Sequence, residues 1–312
     1  MKVAVTGANG FVGRATCERL RLAHHQVRPL IRTPDPGWPA ASAVGDVHGK
    51  TDWSQALQGI DCVVHCAARV HVMAERSGDP LAAFRTVNVE GTQRLAQEAV
   101  QAGVRRLVFL SSLKVLGEAS PPGHPLQARS TPQPTDPYGL TKWEAENALR
   151  AIGNASGLEV VVIRPPLVYG PGVKANFARL VQAVARGIPL PLGSVHNKRS
   201  LVGMDNLTDL IQCCVQLPSA AHQTFLVSDG VDTSTPELIQ AIAQAMGRPA
   251  RLWRVPVGLL RLAGRLSGQG AQVERLTGSL QVDIRHTREV LGWTPQVTLQ
   301  QGLQSVVQDY LK

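Results

Sequence analysis

Aromatic side chains are scarce in this 312-residue chain, only 4% of it, and no run of Arg or Lys is interleaved with Phe or Tyr. A stacking platform for single-stranded nucleic acid is therefore not expected, nor any nucleic-acid partner. The five cysteines, Cys17, Cys62, Cys66, Cys213 and Cys214, form no C-x-x-C pair and have no histidine at zinc-finger spacing. They read as buried thiols in a reducing cytoplasm, and no metal site is expected. No stretch reaches the roughly 18 uninterrupted apolar residues of a membrane span, so insertion is not expected. The first six residues read as a strand running straight into glycines, which is not the charged, apolar and cleavable pattern of a secretory leader. Acidic residues are also in deficit, 23 against 32 basic ones, and the formal charge of +9 favours anionic partners such as phosphorylated cofactors, nucleic acid or acidic lipid, among which charge alone does not choose.

What is present is an alternation of short apolar runs with longer amphipathic ones. Val3 to Val5, Val27 to Ile31, Cys62 to Val64, Leu107 to Leu110 and Val160 to Ile163 read as buried strands. Helices are expected between them: one with Val12, Ala15, Thr16, Leu20 and Ala23 on a single face, one over Leu81 to Ala102 and one over Pro137 to Ala151. The pattern predicts an α/β chain with a Rossmann-like, doubly wound parallel sheet over residues 1–170, and a smaller C-terminal substrate-binding α/β lobe over 171–312. Part of 201–230, with a strand at Phe225 to Val227, is expected to return to the main sheet. Further helices are read at 175–186, 205–216 and 236–246, and from Leu299 onward. Seven prolines and glycines between 121 and 137 make the segment 118–137 an irregular loop, of the kind that serves as a lid or binding segment.

Two constellations carry chemistry. Thr6-Gly7-Ala8-Asn9-Gly10-Phe11-Val12-Gly13 follows the first strand and opens the first helix, where a dinucleotide pyrophosphate would lie on free amides and a helix N-terminus. At the end of the second strand, where an acid would bind a ribose 2′-hydroxyl, Ile31 and Arg32 stand instead. Arg32, aided by Arg14, suits a 2′-phosphate, so NADP(H) is favoured and NAD(H) is the alternative. Asp46 is placed to accept from the adenine amino group. The second constellation is Tyr138 and Lys142, four apart on one helical face, with Ser112 at the carboxyl end of the strand before them. A lysine ammonium and an oxidised nicotinamide would favour the tyrosine phenolate, and Ser112 would orient a substrate oxygen.

With these residues the chain resembles the extended short-chain dehydrogenase/reductase family, in particular its nucleotide-sugar epimerases, dehydratases and 4-ketoreductases. The resemblance runs through the glycine turn, His65-Cys66-Ala67-Ala68, Asn88 in Val87-Asn88-Val89-Glu90-Gly91-Thr92, Ser111-Ser112, Tyr138 and Lys142, Arg164-Pro165-Pro166-Leu167-Val168-Tyr169-Gly170-Pro171-Gly172, and Leu291-Gly292-Trp293-Thr294-Pro295. It implies an enzyme with Ser112, Tyr138 and Lys142 catalytic. Cofactor contacts are implied for Gly7, Asn9, Gly10, Phe11, Val12, Gly13, Arg14, Arg32, Asp46, Val47, Cys66, Ala67, Ala68, Asn88, Tyr138, Lys142, Pro165 and Val168.

For a UDP-sugar substrate it implies Asn176 and Arg199 as nucleotide ligands, Arg275 as a second diphosphate ligand, and Arg69, His71 and Lys114 lining the sugar pocket. Dehydratases of the family carry acids where this chain has Ser112-Leu113-Lys114, so dehydration is not expected. The resemblance points to reduction of a UDP-4-keto-6-deoxy-N-acetylhexosamine in surface-polysaccharide synthesis, with UDP-sugar 4-epimerisation by the same triad as the alternative. A homodimer is expected, with helices such as those at 79–102 and 137–151 as candidate contacts that the sequence does not fix. A non-catalytic dinucleotide sensor is the remaining alternative, but such proteins dispense with the tyrosine or lysine that this chain keeps.

Overall fold

The structure is a computed structural model, and it describes residues 1–70 and 79–311. Strands β1 (Lys2–Thr6), β2 (Gln26–Ile31), β3 (Ser42–Ala43), β4 (Cys62–His65), β5 (Arg106–Leu110), β6 (Glu159–Arg164) and β9 (Thr224–Leu226) form one sheet in the order β3-β2-β1-β4-β5-β6-β9. Every pairing in it is parallel. The order reverses at β1, so the crevice between the carboxyl ends of β1 and β4 is the switch point at which ligands bind in such sheets.

Alternation along each strand sends side chains to two cores. Val3, Val5, Cys62, Val64 and Val108 pack with Cys17 and Leu20 of α1 (Phe11–Leu22) and with Leu207, Leu210 and Ile211 of α7 (Met204–Gln216). Ala4, Val63, Leu107 and Phe109 face the other way, onto Leu95 and Ala99 of α4 (Gly91–Gln101), Ala145 and Leu149 of α5 (Pro137–Ser156), and Trp53 ahead of the single turn α2 (Ser54–Leu57). The strands carry no polar face because helices cover both sides. In α1 the buried face is Gly13, Thr16, Cys17 and Leu20, with Val12 at its margin.

The expected single helix over 81–102 is three pieces: α3 (Pro80–Arg85), a π-turn at Thr86–Glu90, and α4. The wider turn redirects the side chain of Asn88, with consequences for the site below.

Beyond β6 the chain alternates between the main sheet and a second cluster. A short parallel pair, β7 (Leu167–Tyr169) with β8 (Leu201–Gly203), stands beside α6 (Ala175–Ala185), α8 (Thr235–Ala245) and α12 (Leu299–Tyr310). These bury Tyr169, Phe177, Val181, Ile239, Ile242 and Leu303 together. Three helices were not legible in advance: α9 (Val257–Leu266), α10 (Gly270–Thr277) and α11 (Arg285–Leu291). The irregular segment 118–137 is tied down along its length, for Ser120 N donates to Ser279 O (3.0 Å), Leu126 N to Gln281 O (2.8 Å) and Gln133 N to Val115 O (3.0 Å). No helix among the described residues is long and apolar enough to cross a membrane.

Candidate active site

The glycine turn lies at the carboxyl end of β1, and its glycines are there for space. Gly7 has φ +63°, and Gly10 N donates to Gly7 O at 2.8 Å, closing the turn. A Cβ on Gly13 would lie 2.1 Å from Gly7 O, so only glycine lets α1 start this close to the strand it follows. Gly10 caps α1 without a side-chain hydrogen bond, leaving the first-turn amides to an external acceptor. A cradle that a Cβ would fill, facing free amides, fits a dinucleotide pyrophosphate. Gly7, Gly10, Gly13 and their neighbours Asn9, Phe11 and Val12 would hold it.

The far wall of the crevice is the segment after β4, and a polar lattice fixes it. Ala67 N donates to Thr6 Oγ1 (3.1 Å), which leaves the Thr6 hydroxyl to donate to His65 Nδ1 (2.6 Å). His65 Nε2, then carrying the proton, reaches Thr92 Oγ1 at 3.0 Å. Burial, aided by the charge of Lys142, pushes the His65 pKa down to about 3, so the ring is a neutral pin between strand and helix. Asn88, rotated inward by the π-turn, accepts from Arg69 N (2.8 Å) and donates to Arg69 O (3.1 Å) and to Thr141 Oγ1 (3.1 Å). It couples the wall that holds Cys66, Ala67 and Ala68 to the helix that carries the triad. Burial also drives the Cys66 thiol up to about 12, and all five cysteines are unpaired.

Ser112 follows β5 in an extended conformation, and its hydroxyl accepts from Lys114 N (3.2 Å). Opposite it, α5 begins at Pro137 under a cap from Asp136, whose Oδ1 accepts from Gly139 N at 2.7 Å. A Cβ on Gly139 would come within 2.6 Å of Lys114 O, so the glycine after Tyr138 lets the helix press against the Ser112 segment. Burial pushes the Tyr138 phenol up to about 12, the Asp136 carboxylate adds to that rise, and a hydrogen bond with Ser112 offsets part of it. Lys142 is buried with its ammonium 4.1 Å from the centroid of the Phe109 ring, and burial lowers its pKa to about 7. Burial dominates both groups, and beside it Asp136 and Ser112 act on Tyr138, not Lys142, which was expected to depress it. Ribose hydroxyls would supply Lys142 with the partners that restore its charge.

Four residues later on α5, Glu146 anchors the helix. It is fully buried, accepts from Arg164 Nε (2.9 Å) and Nη2 (2.6 Å), from Arg150 Nη2 (2.8 Å) and from Ser111 Oγ (2.6 Å). Burial would raise its carboxyl, but the hydrogen bonds and charge of Arg164, with Ser111 and Arg150, hold it below the ordinary carboxylate range. Glu146→Ala, which leaves Arg164 buried and unpaired, should cost about 3–5 kcal/mol in urea unfolding. Because the folded pKa is depressed, the contribution of Glu146 is complete above the ordinary glutamate pKa and fades as pH falls through the folded value. The gap between wild type and variant should close in acid, and a gap independent of pH would contradict this anchor.

The remaining residues expected at the site fall in three groups. Arg32 and Asp46 are exposed beyond β2 and β3, 3.8 Å apart, while Arg14 lies against the Trp38 ring and Val47 is partly buried against Gly91. Pro165 and Val168 follow β6 and line β7, and Leu113 N donates to Pro165 O at 2.9 Å. On the substrate side Arg199 donates to Arg275 O (2.9 Å) and Gly278 O (3.1 Å), and burial lowers its pKa. Arg275 sits 3.7 Å from Glu118, Asn176 is exposed at the start of α6, and His71 lies outside the described residues. Lys114, expected to meet substrate, is ion-paired with Asp136 and with Glu118 (3.2 Å), beside the helix that carries Tyr138. Asp136, Gly139, Thr141 and Glu146 were missed in the sequence, where only the D-P-Y-G run hinted at a capped helix start.

A glycine cradle at the switch point, with Ser112 after β5 and Tyr138 and Lys142 on α5, is the arrangement of the short-chain dehydrogenase/reductase class. Residues 3–227 match the NAD dependent epimerase/dehydratase family, and the chain belongs to it as an extended short-chain dehydrogenase/reductase enzyme. It is 46% identical to a UDP-glucose 4-epimerase of Vibrio cholerae over 99% of this chain and 95% of that protein. It is 26% identical to the N-acetyl-alpha-D-glucosaminyl-diphospho-ditrans,octacis-undecaprenol 4-epimerase of Escherichia coli O157:H7, over 98% of this chain and 94% of the other. Among solved structures, MoeE5 in complex with UDP-glucose and NAD superposes with a TM-score of 0.80 at 26% identity, covering 100% of this chain and 99% of that one.

Proposed function

We propose that this chain is a UDP-sugar 4-epimerase, oxidising and re-reducing C4 of a UDP-linked hexose or N-acetylhexosamine. The observation that carries the reading is the placement of Ser112, Tyr138 and Lys142 beside the glycine cradle, in a chain related over its whole length to 4-epimerases. A bound nicotinamide dinucleotide supplies the hydride acceptor and donor. Tyr138 Oη takes the proton of the C4 hydroxyl during oxidation and returns it after the keto sugar has turned its other face. Ser112 Oγ holds the C4 oxygen in line with Tyr138, and Lys142 Nζ, charged when hydrogen-bonded to ribose, stabilises the phenolate. Arg199 and Arg275 carry the diphosphate, Arg275 exchanging its contact with Glu118 for phosphate oxygens. Two copies pair through α3, α4 and α5.

Net reduction of a UDP-4-keto-6-deoxy-N-acetylhexosamine is a second reading, favoured by one observation: the end of β2 carries exposed Arg32 where an acid would select NAD. In that direction Tyr138 protonates the C4 oxygen. Incubation with a UDP-hexose or UDP-N-acetylhexosamine should give the C4 epimer with no net change in nicotinamide absorbance. Stoichiometric consumption of NADPH on a 4-keto substrate, with no epimer formed, would replace the first reading by the second. On this second reading the Arg32 side chain should make the specificity constant for NADPH the larger, and Arg32→Ala should reduce it about 10-fold or more by removing a charge-assisted contact. An advantage for NADH in the wild-type protein would remove Arg32 from this role.

A further inference from the structure

Helix α9 is apolar on two opposite sides, and the core accounts for one of them. Val257 and Leu260 pack into the cluster of the second lobe, and Gly264 is buried where a Cβ would meet Val273 at 2.5 Å. Leu259, Leu262 and Leu266 fall at i, i+3 and i+7, within an arc of roughly 60° on the side away from that core. They are 57%, 54% and 82% exposed. Four residues ahead of the helix, Trp253 is 63% exposed although its backbone is held by a hydrogen bond to Leu190 O (2.9 Å). Exposed leucines scattered singly need no explanation, but a stripe of three on one short helix does.

Charge identifies what would cover the stripe. Between 248 and 265 the chain has five arginines, at 248, 251, 254, 261 and 265, and no acid. Arg261 and Arg265, one turn apart, flank the leucines, and Arg261 pairs with Glu274 at 2.9 Å. With no acid on α9 to oppose an anionic surface, an apolar stripe edged by arginines, with a tryptophan nearby, is the pattern of a helix lying in a lipid interface. At 10 residues α9 is half the length needed to span a bilayer, so it would lie on the surface rather than cross it.

We propose that the outer face of α9, with its arginines, seats the protein on an anionic lipid bilayer. The inference stands apart from the proposed reaction, because none of these leucines touches the triad or the cradle. The test is sedimentation of the full chain with vesicles of phosphatidylcholine alone or mixed with phosphatidylglycerol. Wild-type protein should pellet with the mixed vesicles, weaken as salt rises and stay in solution with the neutral ones. Leu262→Gln with Leu266→Gln should weaken binding about tenfold or more, by the apolar area lost. Arg261→Gln and Arg265→Gln should each weaken it about fivefold, with wild-type thermal unfolding and wild-type turnover of a soluble substrate in every variant. No pelleting with anionic vesicles, equal pelleting with neutral ones, or leucine variants that bind like wild type would overturn the proposal. So would a change from dimer to monomer in the leucine variants without vesicle binding, which would make the stripe a contact between two copies.

Discussion

Tyr138→Phe should lower turnover by about 10²- to 10⁴-fold while dinucleotide binding and thermal unfolding stay near wild type. The phenol is the proposed acid–base group on α5, beside Ser112, and its ring would persist in phenylalanine, packed near Phe84 at a centroid distance of 6.4 Å. The loss would therefore report the hydroxyl and not the fold. Ser112→Ala tests the same arrangement from the other side. Burial and Asp136 push Tyr138 up to about 12 and the Ser112 hydrogen bond works against them, so removing the serine should move the pH dependence of turnover further toward alkali. Retained turnover in Tyr138→Phe, or a Ser112→Ala profile unmoved along the pH axis, would take these residues out of the proton path.

The second large effect is expected at the cradle. Gly13→Ala places a methyl 2.1 Å from Gly7 O and 2.8 Å from Gly7 C, atoms of the turn proposed to grip the pyrophosphate. Backbone on both sides cannot yield as a flexible side chain would, so α1 must shift away from β1. The cost should be about 1–3 kcal/mol in stability and essentially all of the dinucleotide affinity. Gly10→Ala is the graded control, since its Cβ would meet Gly7 O at 3.0 Å, a contact a small displacement relieves. Dinucleotide titration by quenching of protein fluorescence should rank wild type, Gly10→Ala and Gly13→Ala in that order. A Gly13→Ala protein binding within about twofold of wild type would contradict the cradle.

The reach of the sequence ends where contacts cease to be local. The sheet was legible because strands buried on both faces are continuous apolar runs, and the glycine turn because Gly10 and Gly13 answer to atoms three to six residues away, although Gly7 also meets Ala67 across the crevice. Tyr138 and Lys142 share a helical face by spacing alone. By contrast, the neutral His65 pin depends on Thr6 and Thr92, residues 59 and 27 positions distant. The Glu146–Arg164 anchor joins a helix to a strand end that no periodicity relates, and the Asn88 clamp required a π-turn that the apolar pattern of 81–102 does not reveal. Nothing local in the sequence shows that Lys114 meets Asp136 across the loop. Helices α9 to α11 escaped for another reason. Glycines at 258, 264, 268 and 270 interrupt the first two, and their exposed leucines blur the amphipathic signal.

The central claim, that hydride leaves and returns to C4 of one sugar while Tyr138 handles the proton, is tested most directly by isotope. UDP-glucose and UDP-N-acetylglucosamine carrying deuterium at C4 should be turned over in ordinary water, and the product examined at C4 by NMR. The account predicts a C4 epimer that keeps its deuterium, because the hydride never mixes with solvent. An epimer carrying protium at C4, or label released to water, would show inversion by proton exchange and contradict it.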